Sequence, residues 1–102
     1  MPRPEDCHSM TELRVAIDAL DGELVAHLAA RAALIDRAIA LKSENGMPAR
    51  IDSRVEEVVE NVRTSADALG YDAALAEMLW RIIINWSIAR EEQVLGAGPN
   101  RD

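Results

Sequence analysis

The feature that most constrains the fold is a helical pattern that runs without proline over residues 9–45. It begins with the sequence of a capping box, in which Ser9 caps the helix and Glu12 reaches back. Gly22 is its one weak position, and on a helical wheel this glycine falls opposite the apolar stripe. The pattern ends before Pro48, because proline cannot continue a helix. At 1.5 Å per residue the helix would be about 55 Å long.

Such a helix is too long for a compact monomer of 102 residues, whose radius of gyration would be about 13 Å. Its apolar stripe continues to the far end, so part of the stripe needs a partner to cover it. A helical homodimer, with the long helices packed across a two-fold axis, is the simplest solution. The alternative is a helix that breaks near Gly22 and folds back within a monomer.

Two shorter helices are predicted after the long one. A connector over residues 46–51 leads to a second capping box, Ser53 to Glu56, and to a valine-rich helix that Gly70 can end. Asp72 can cap a third helix over about 73–95. The fold class is therefore all-α, with a three-helix protomer and one very long N-terminal helix.

The sequence divides into an N-terminal arm over 1–8, one helical domain over 9–96 and a polar tail over 97–102. The single cysteine, Cys7, excludes an intrachain disulfide and a cysteine-based zinc site within one chain. Neither a signal peptide nor a run of about 18 apolar residues is present, so we expect a cytoplasmic protein.

Composition excludes several classes of protein. Phenylalanine is absent and only 3% of the residues are aromatic, so a β-sandwich or barrel is disfavoured. The net charge of −7 is wrong for a general nucleic-acid binder, which should be basic. It also argues against attraction to an anionic membrane surface.

Cations interrupt the apolar stripe of the first helix. Arg31 and Lys42, the only lysine, fall near its centre, and Arg14 lies on its flank. A buried, unpaired cation costs several kcal/mol, so an anion should meet these side chains. That anion could be a protein carboxylate or a bound ligand, and the alternative is that the side chains extend out to water. The stripe consists of Leu13, Ile17, Leu20, Leu24, Leu28, Arg31, Ile35, Ala38 and Lys42.

The third helix carries the stripe Trp80, Ile84, Ser87 and Glu91, at spacings of four, three and four residues. Ser87 and Glu91 should share one inward-facing edge. A second interpretation is that Ser87 bonds to the backbone and that Glu91 reaches water near the helix end.

In the second helix, Arg54 lies on the flank of the valine face, near the start of the helix, where a cation has the wrong sign for the helix dipole.

The sequence offers little support for covalent or metal catalysis. It has no Ser-His-Asp set, no metal-binding histidine spacing and no phosphate loop. Arginines, one lysine, a serine and a carboxyl group suit a small polyanion, on which such a site could act by positioning and electrostatics.

Several motifs together resemble the all-helical chorismate mutase family, which includes isochorismate-pyruvate lyases, over roughly residues 9–95. Each motif is weak by itself, but their order and spacing are specific. The motifs are Leu13-Arg14, Ile17-Asp18-Ala19-Leu20-Asp21, Ala29-Ala30-Arg31, Lys42 eleven residues later, Arg54 twelve residues after that, and Ile83-Ile84-Asn85-Trp86-Ser87.

The resemblance implies an intertwined homodimer with two active sites and no cofactor or metal. The reaction would be the Claisen rearrangement of chorismate to prephenate. Three arginines would hold the two substrate carboxylates in the reactive conformer, while Lys42 would donate to the ether oxygen. One protomer would supply Arg31, Lys42, Arg54, Ser87 and Glu91, and the other would supply Arg14.

Three positions depart from the mutase pattern. Bacterial mutases usually have glutamine where this chain has Glu91, and a carboxyl group can donate a hydrogen bond only when protonated. We therefore expect mutase activity to be greater below neutral pH. Ile51 and Val55 stand where chorismate mutases commonly place carboxylates for the ring hydroxyl of the substrate, so the resemblance does not supply that contact. Ile51, Val55 and Ile84 are still expected among the substrate-binding residues.

Two alternatives to the mutase stay open. The segments Pro4–Cys7 and Trp86–Ala89 look somewhat like isochorismate-pyruvate lyases, which release salicylate and pyruvate, whereas Ser87 and the Lys42-to-Arg54 spacing follow the mutase pattern. The third possibility is a non-catalytic helical dimer that binds an anionic metabolite or regulates a partner. Such a module would have no need for the full set of cations.

Overall fold

The computed structural model describes residues 3–96, and within them the chain is all-helical, with no strand. One 3₁₀ turn covers Pro4–Asp6 and is followed by helices α1 (Met10–Asn45), α2 (Asp52–Leu69) and α3 (Ala73–Leu95). The prediction of three helices with one very long N-terminal helix is confirmed. Helix α1 continues through Gly22 for 36 residues, so the alternative of a break at that glycine is wrong.

Most of the helix ends follow local chemistry that the sequence shows. The Oγ atom of Ser9 accepts a hydrogen bond from the Glu12 amide at 3.1 Å. The Glu12 carboxylate reaches back to the amide of His8, at 2.8 Å, rather than to that of Ser9. The carboxylate of Asp72 accepts from the Leu75 amide at 3.0 Å. Gly70 ends α2 with a φ of 72°, a conformation that glycine adopts without strain.

The start of α2 differs from the prediction. The helix begins at Asp52, its N-cap is Ile51, and no side chain caps it. The expected capping box from Ser53 to Glu56 is therefore wrong, because Ser53 already lies inside the first turn. The carboxylate of Asp52 has the favourable sign for this helix end, and it accepts a hydrogen bond from Arg50 at 2.7 Å.

The contacts divide the chain into two units, residues 1–34 and residues 35–102. In the second unit, α2 packs on α3 around a small aliphatic core. Side chains four residues apart on each helix are buried there, as an amphipathic helix requires. The core consists of Val55, Val59, Ile84 and Ile88, with Val58 and Trp80 packed against it.

Polar side chains join the same two helices beside this core. Glu77 on α3 accepts hydrogen bonds from Arg63 on α2, at 2.7 Å, and from Arg81 on its own helix, at 2.8 Å. Arg81 also reaches Glu56 on α2 at 3.3 Å. The hydrogen bonds from Arg81 and Arg63 hold the pKa of Glu77 below its ordinary value.

The first unit contains the N-terminal part of α1, whose apolar side chains are exposed. Ile17, Leu20, Leu24 and Leu28 are 42–54% accessible in the single chain. No residue of α1 is buried. Among residues 3–96, no helix combines the length and the apolar character that a membrane span needs. Met1, Pro2 and the tail over 97–102 lie outside the described residues, and the division into arm, domain and tail stays a prediction.

Candidate functional site

Lys42 and Glu91 form an ion pair inside the second unit. Lys42 is in the last turn of α1, and Glu91 is near the end of α3, where it is buried. The Nζ atom of Lys42 lies 2.8 Å from Oε1 of Glu91, and the two side chains are 19% and 6% exposed. Nζ also donates a hydrogen bond to the backbone carbonyl of Ala49, at 2.7 Å. Lys42 is thus fixed to both the connector and α3.

The carboxylate of Glu91 is incompletely satisfied. Its Oε1 atom is fully buried, and no donor among residues 3–96 makes a hydrogen bond of normal geometry to it. The contact with Lys42 is therefore an ion pair by distance, not a well-aligned hydrogen bond. A buried carboxylate oxygen with spare acceptor capacity is costly for stability, and functional sites are where such groups persist. The interpretation in which Glu91 reaches water is wrong.

The predicted stripe on α3 faces inward as expected. Ile84, Ser87 and Glu91 are each at most 5% exposed, and Trp80 packs against the core. The Ser87 hydroxyl donates to the carbonyl of Ile83 at 2.9 Å, so the alternative expectation of a backbone bond is also confirmed. Val55 on α2 is buried in the same cluster as Ile84. An aliphatic surface is therefore part of the same helix pair as the buried carboxylate.

Ile51 and Arg54 lie at the start of α2. Ile51 is partly buried. The Arg54 side chain is 63% exposed, and its guanidinium pairs with Glu57 at 2.6 Å, not with Glu91. Arg54 is available to a ligand only if it leaves a neighbouring carboxylate on its own helix. That exchange is inexpensive, since an exposed pair of this kind contributes at most about 1 kcal/mol.

The two remaining predicted cations belong to the first unit. Arg14 is exposed and Arg31 is partly buried, and both lie on α1. The other predicted site residues all belong to the second unit. They are Lys42, Ile51, Arg54, Val55, Ile84, Ser87 and Glu91.

Sequence reasoning missed a second ion pair between the same helices. The guanidinium of Arg90 donates to both carboxylate oxygens of Asp36, at 2.6 and 3.0 Å. The same guanidinium lies 5.4 Å from the centre of the Trp86 ring. Hydrogen bonding to Arg90 lowers the pKa of Asp36, and the same bond raises the pKa of Arg90. Asp36 and Arg90 are 54 residues apart, so no local pattern indicated their contact.

The arrangement suits an anionic small molecule. Lys42 presents an ammonium group in a largely dry environment, where its attraction to negative charge is stronger than in water. The ammonium donates one hydrogen bond, to the carbonyl of Ala49, and lies within ion-pair distance of Glu91, so it keeps donor capacity for a ligand. Among residues 3–96 there is no group of three or more histidine, cysteine, aspartate or glutamate side chains that could hold a metal ion.

Two comparisons with known proteins match most of this chain. The isochorismate pyruvate lyase of Pseudomonas aeruginosa is 35% identical to this chain over 92 residues, which is 89% of the chain and 89% of that protein. Residues 13–92 match the chorismate mutase type II family, a span that includes Arg14, Lys42 and Glu91. Because this match covers most of its length, the chain belongs to the chorismate mutase type II family.

Proposed function

We propose that the protein is a chorismate mutase, which rearranges chorismate to prephenate without a covalent intermediate, a metal or a cofactor. One observation carries the proposal. The only lysine is held in a mostly buried position by Ala49 and Glu91. Glu91 lies on α3, which together with α2 also buries the aliphatic side chains of Val55 and Ile84. A fixed hydrogen-bond donor and an apolar surface can accelerate a Claisen rearrangement, which needs no nucleophile.

The cations would act by positioning and by electrostatic stabilisation. Chorismate carries two carboxylates, and guanidinium groups bind carboxylates through paired hydrogen bonds. In our proposal Arg14, Arg31 and Arg54 hold these carboxylates so that the reacting carbons approach each other. As the ether bond breaks, its oxygen becomes more negative, and Lys42 donates a hydrogen bond to it.

Glu91 would assist only in its protonated form. An ionised carboxylate accepts hydrogen bonds but cannot donate one, and its charge would oppose the charge that develops on the ether oxygen. A protonated Glu91 would leave the Lys42 ammonium free for the substrate and could donate a second hydrogen bond. We therefore propose that the active form of the site carries a proton on Glu91.

Apolar and small side chains would complete the substrate site. Ile51, Val55 and Ile84 would contact the ring, where they can contribute dispersion and the exclusion of water. The hydroxyl of Ser87, one turn before Glu91 on α3, would lie beside one end of the substrate.

We further propose that the active unit is an intertwined homodimer in which Arg14 reaches the site of the partner. The support is the row of exposed apolar residues on α1, of which Ile17 and Leu24 are about half accessible. Large contiguous apolar surfaces are rare on soluble monomers and usually mark an interface. A cytoplasmic location stays a prediction from the sequence.

The loss of chorismate absorbance tests the mutase directly. Purified protein should consume chorismate and form prephenate, faster at pH 5 than at pH 7.5, and Lys42→Ala should abolish turnover. Arg37→Ala is the matched control, because Arg37 is an exposed cation on the same helix. Equal turnover by wild type and Lys42→Ala would refute the proposed role of the lysine.

A lyase is the second candidate, and one specific observation favours it. The relative that is 35% identical is named isochorismate pyruvate lyase. That activity would use the same cations on isochorismate and would release salicylate and pyruvate. The two substrates should be assayed side by side, and efficient salicylate release without chorismate turnover would make the lyase the preferred function. Binding of chorismate without turnover of either substrate would instead indicate a non-catalytic module.

A further inference from the structure

The ion pair between Asp36 and Arg90 is the best-defined contact between the C-terminal part of α1 and α3. Arg90 uses two nitrogens on two oxygens, at 2.6 and 3.0 Å. A paired guanidinium–carboxylate contact fixes the direction as well as the distance between its partners. Trp86, one turn before Arg90 on α3, supports the guanidinium at 5.4 Å through a cation–π contact.

This ion pair joins the same two helices, α1 and α3, as the contact between Lys42 and Glu91. Arg90 directly precedes Glu91 on α3, and Asp36 precedes Lys42 by six residues on α1, which is a rise of about 9 Å along that helix. The two ion pairs therefore join the same two helix segments at neighbouring places. Neither Asp36 nor Arg90 is a proposed substrate contact.

The Lys42–Glu91 contact needs such support because its own geometry is permissive. The Oε1 atom of Glu91 receives no well-aligned hydrogen bond, and an ammonium on a flexible four-carbon chain accepts many directions of approach. One ion pair of this kind sets a distance but leaves the helices free to rotate about it. A second, forked pair nearby removes that freedom.

We propose that Asp36 and Arg90 are positioning residues, which set the register of α1 on α3 and thereby hold Lys42 at the place where it meets Glu91 and the substrate. This inference rests on the proposed function of Lys42. Misplacement of a catalytic group by about 1 Å can reduce a rate by up to 100-fold. Loss of the paired hydrogen bonds between Asp36 and Arg90 should therefore lower kcat. The KM should change little, because the carboxylate-binding arginines are not involved.

Steady-state kinetics of Asp36→Asn and Arg90→Met test the proposal. Each should lower kcat by about tenfold, with KM within about twofold of wild type. The charge-reversed double variant, Asp36→Arg with Arg90→Asp, should recover much of the lost kcat. Glu77→Gln is the matched control, because it removes a partly exposed ion pair elsewhere on α3 and should leave kcat unchanged.

A second measurement does not depend on turnover. Because Lys42 is the only lysine, its acetylation by a water-soluble acetyl ester can be followed by mass spectrometry of the peptide that contains it, separately from acetylation of the α-amine. Asp36→Asn and Arg90→Met should accelerate this acetylation several-fold, and the double variant and Glu77→Gln should not. If wild type turns over neither chorismate nor isochorismate, the proposed function fails, and acetylation alone decides the positioning role. Wild-type kcat together with wild-type acetylation in both single variants would overturn the inference.

Discussion

The ammonium of Lys42 lies 2.8 Å from Oε1 of Glu91, and both side chains are largely buried. The pair neutralises the only lysine of the chain while no substrate is bound. An anionic substrate that uses Lys42 must therefore compete with Glu91, or Glu91 must first take up a proton. In the proposed mechanism, Glu91 therefore stands at a position where an amide would donate a hydrogen bond without competing for Lys42.

The first prediction concerns the pH dependence of turnover. The kcat/KM of wild type should be higher at pH 5 than at pH 8, because only the protonated Glu91 releases Lys42 and donates a hydrogen bond. Glu91→Gln should flatten the profile, since its amide donates at every pH. Initial rates across pH 5–8 measure both. A wild-type profile that is flat over this range would contradict the proposed role.

The second prediction concerns the stability of the ion pair. Lys42→Met should lower the free energy of unfolding by about 3 kcal/mol, because it leaves the Glu91 carboxylate buried without a partner. Lys42→Met combined with Glu91→Met should recover most of that loss, since an aliphatic pair has no charge to desolvate. Urea denaturation followed by circular dichroism provides the comparison. Equal destabilisation in the single and double variants would mean that packing, not charge, explains the effect.

Helix ends were predictable where their chemistry is local. Asp72 and Gly70 act within a few residues of their own positions, so sequence alone indicates a cap or a stop. The start of α2 was missed because Ser53 to Glu56 has the sequence of a capping box, which would begin the helix at Arg54, but the helix begins two residues earlier, at Asp52. Helix ends shift by one or two residues more readily than helices appear or disappear, so this boundary was the least predictable part of α2.

Contacts between distant residues were only partly predictable. Periodicity placed Glu91 on an inward edge of α3 and indicated that Lys42 needs an anion. It could not show that the two meet, because that depends on how the end of α1 packs on α3. The Asp36–Arg90 pair, between side chains that are about half exposed, gave no signal at all, since neither residue interrupts an apolar stripe.

The third prediction tests the aliphatic core between α2 and α3. Val59 is 5% exposed, so Val59→Ala should lower the free energy of unfolding by about 1.5–3 kcal/mol through lost burial and a residual cavity. Val94→Ala is the control, because Val94 is 65% exposed and its loss should have little effect. Thermal or urea unfolding of both variants checks this difference. A similar loss in the two would mean that Val94 is buried in the assembly.

The fourth prediction concerns acid stability. Hydrogen bonds from Arg81 and Arg63 hold the pKa of Glu77 below its ordinary value of 4.5. A carboxyl group whose pKa is lowered by folding stabilises the protein above its ordinary pKa, and this contribution disappears as pH falls through the lowered value. The difference in midpoint temperature between wild type and Glu77→Gln should therefore be largest near neutral pH and should shrink below about pH 4.5. A difference that does not change with pH would show that the carboxylate charge is not responsible.

The last prediction tests whether Arg14 acts across a dimer interface. Arg14→Ala and Lys42→Ala should each be inactive alone. Co-expressed and purified together, they should regain about a quarter of wild-type activity, because about half of the randomly paired dimers are mixed and each of these holds one intact site.

Mixing Lys42→Ala with Arg54→Ala provides the control for this complementation. Both residues are proposed to come from the same protomer, so every site in a mixed dimer would lack one of them and activity should stay absent. Sedimentation should show a dimer in each sample. Leu24→Asp, which places a charge on the exposed apolar row of α1, should produce an inactive monomer. A monomer with full wild-type activity would remove the need for a partner. Recovery in the control mixture would mean that Lys42 and Arg54 of one site come from different protomers.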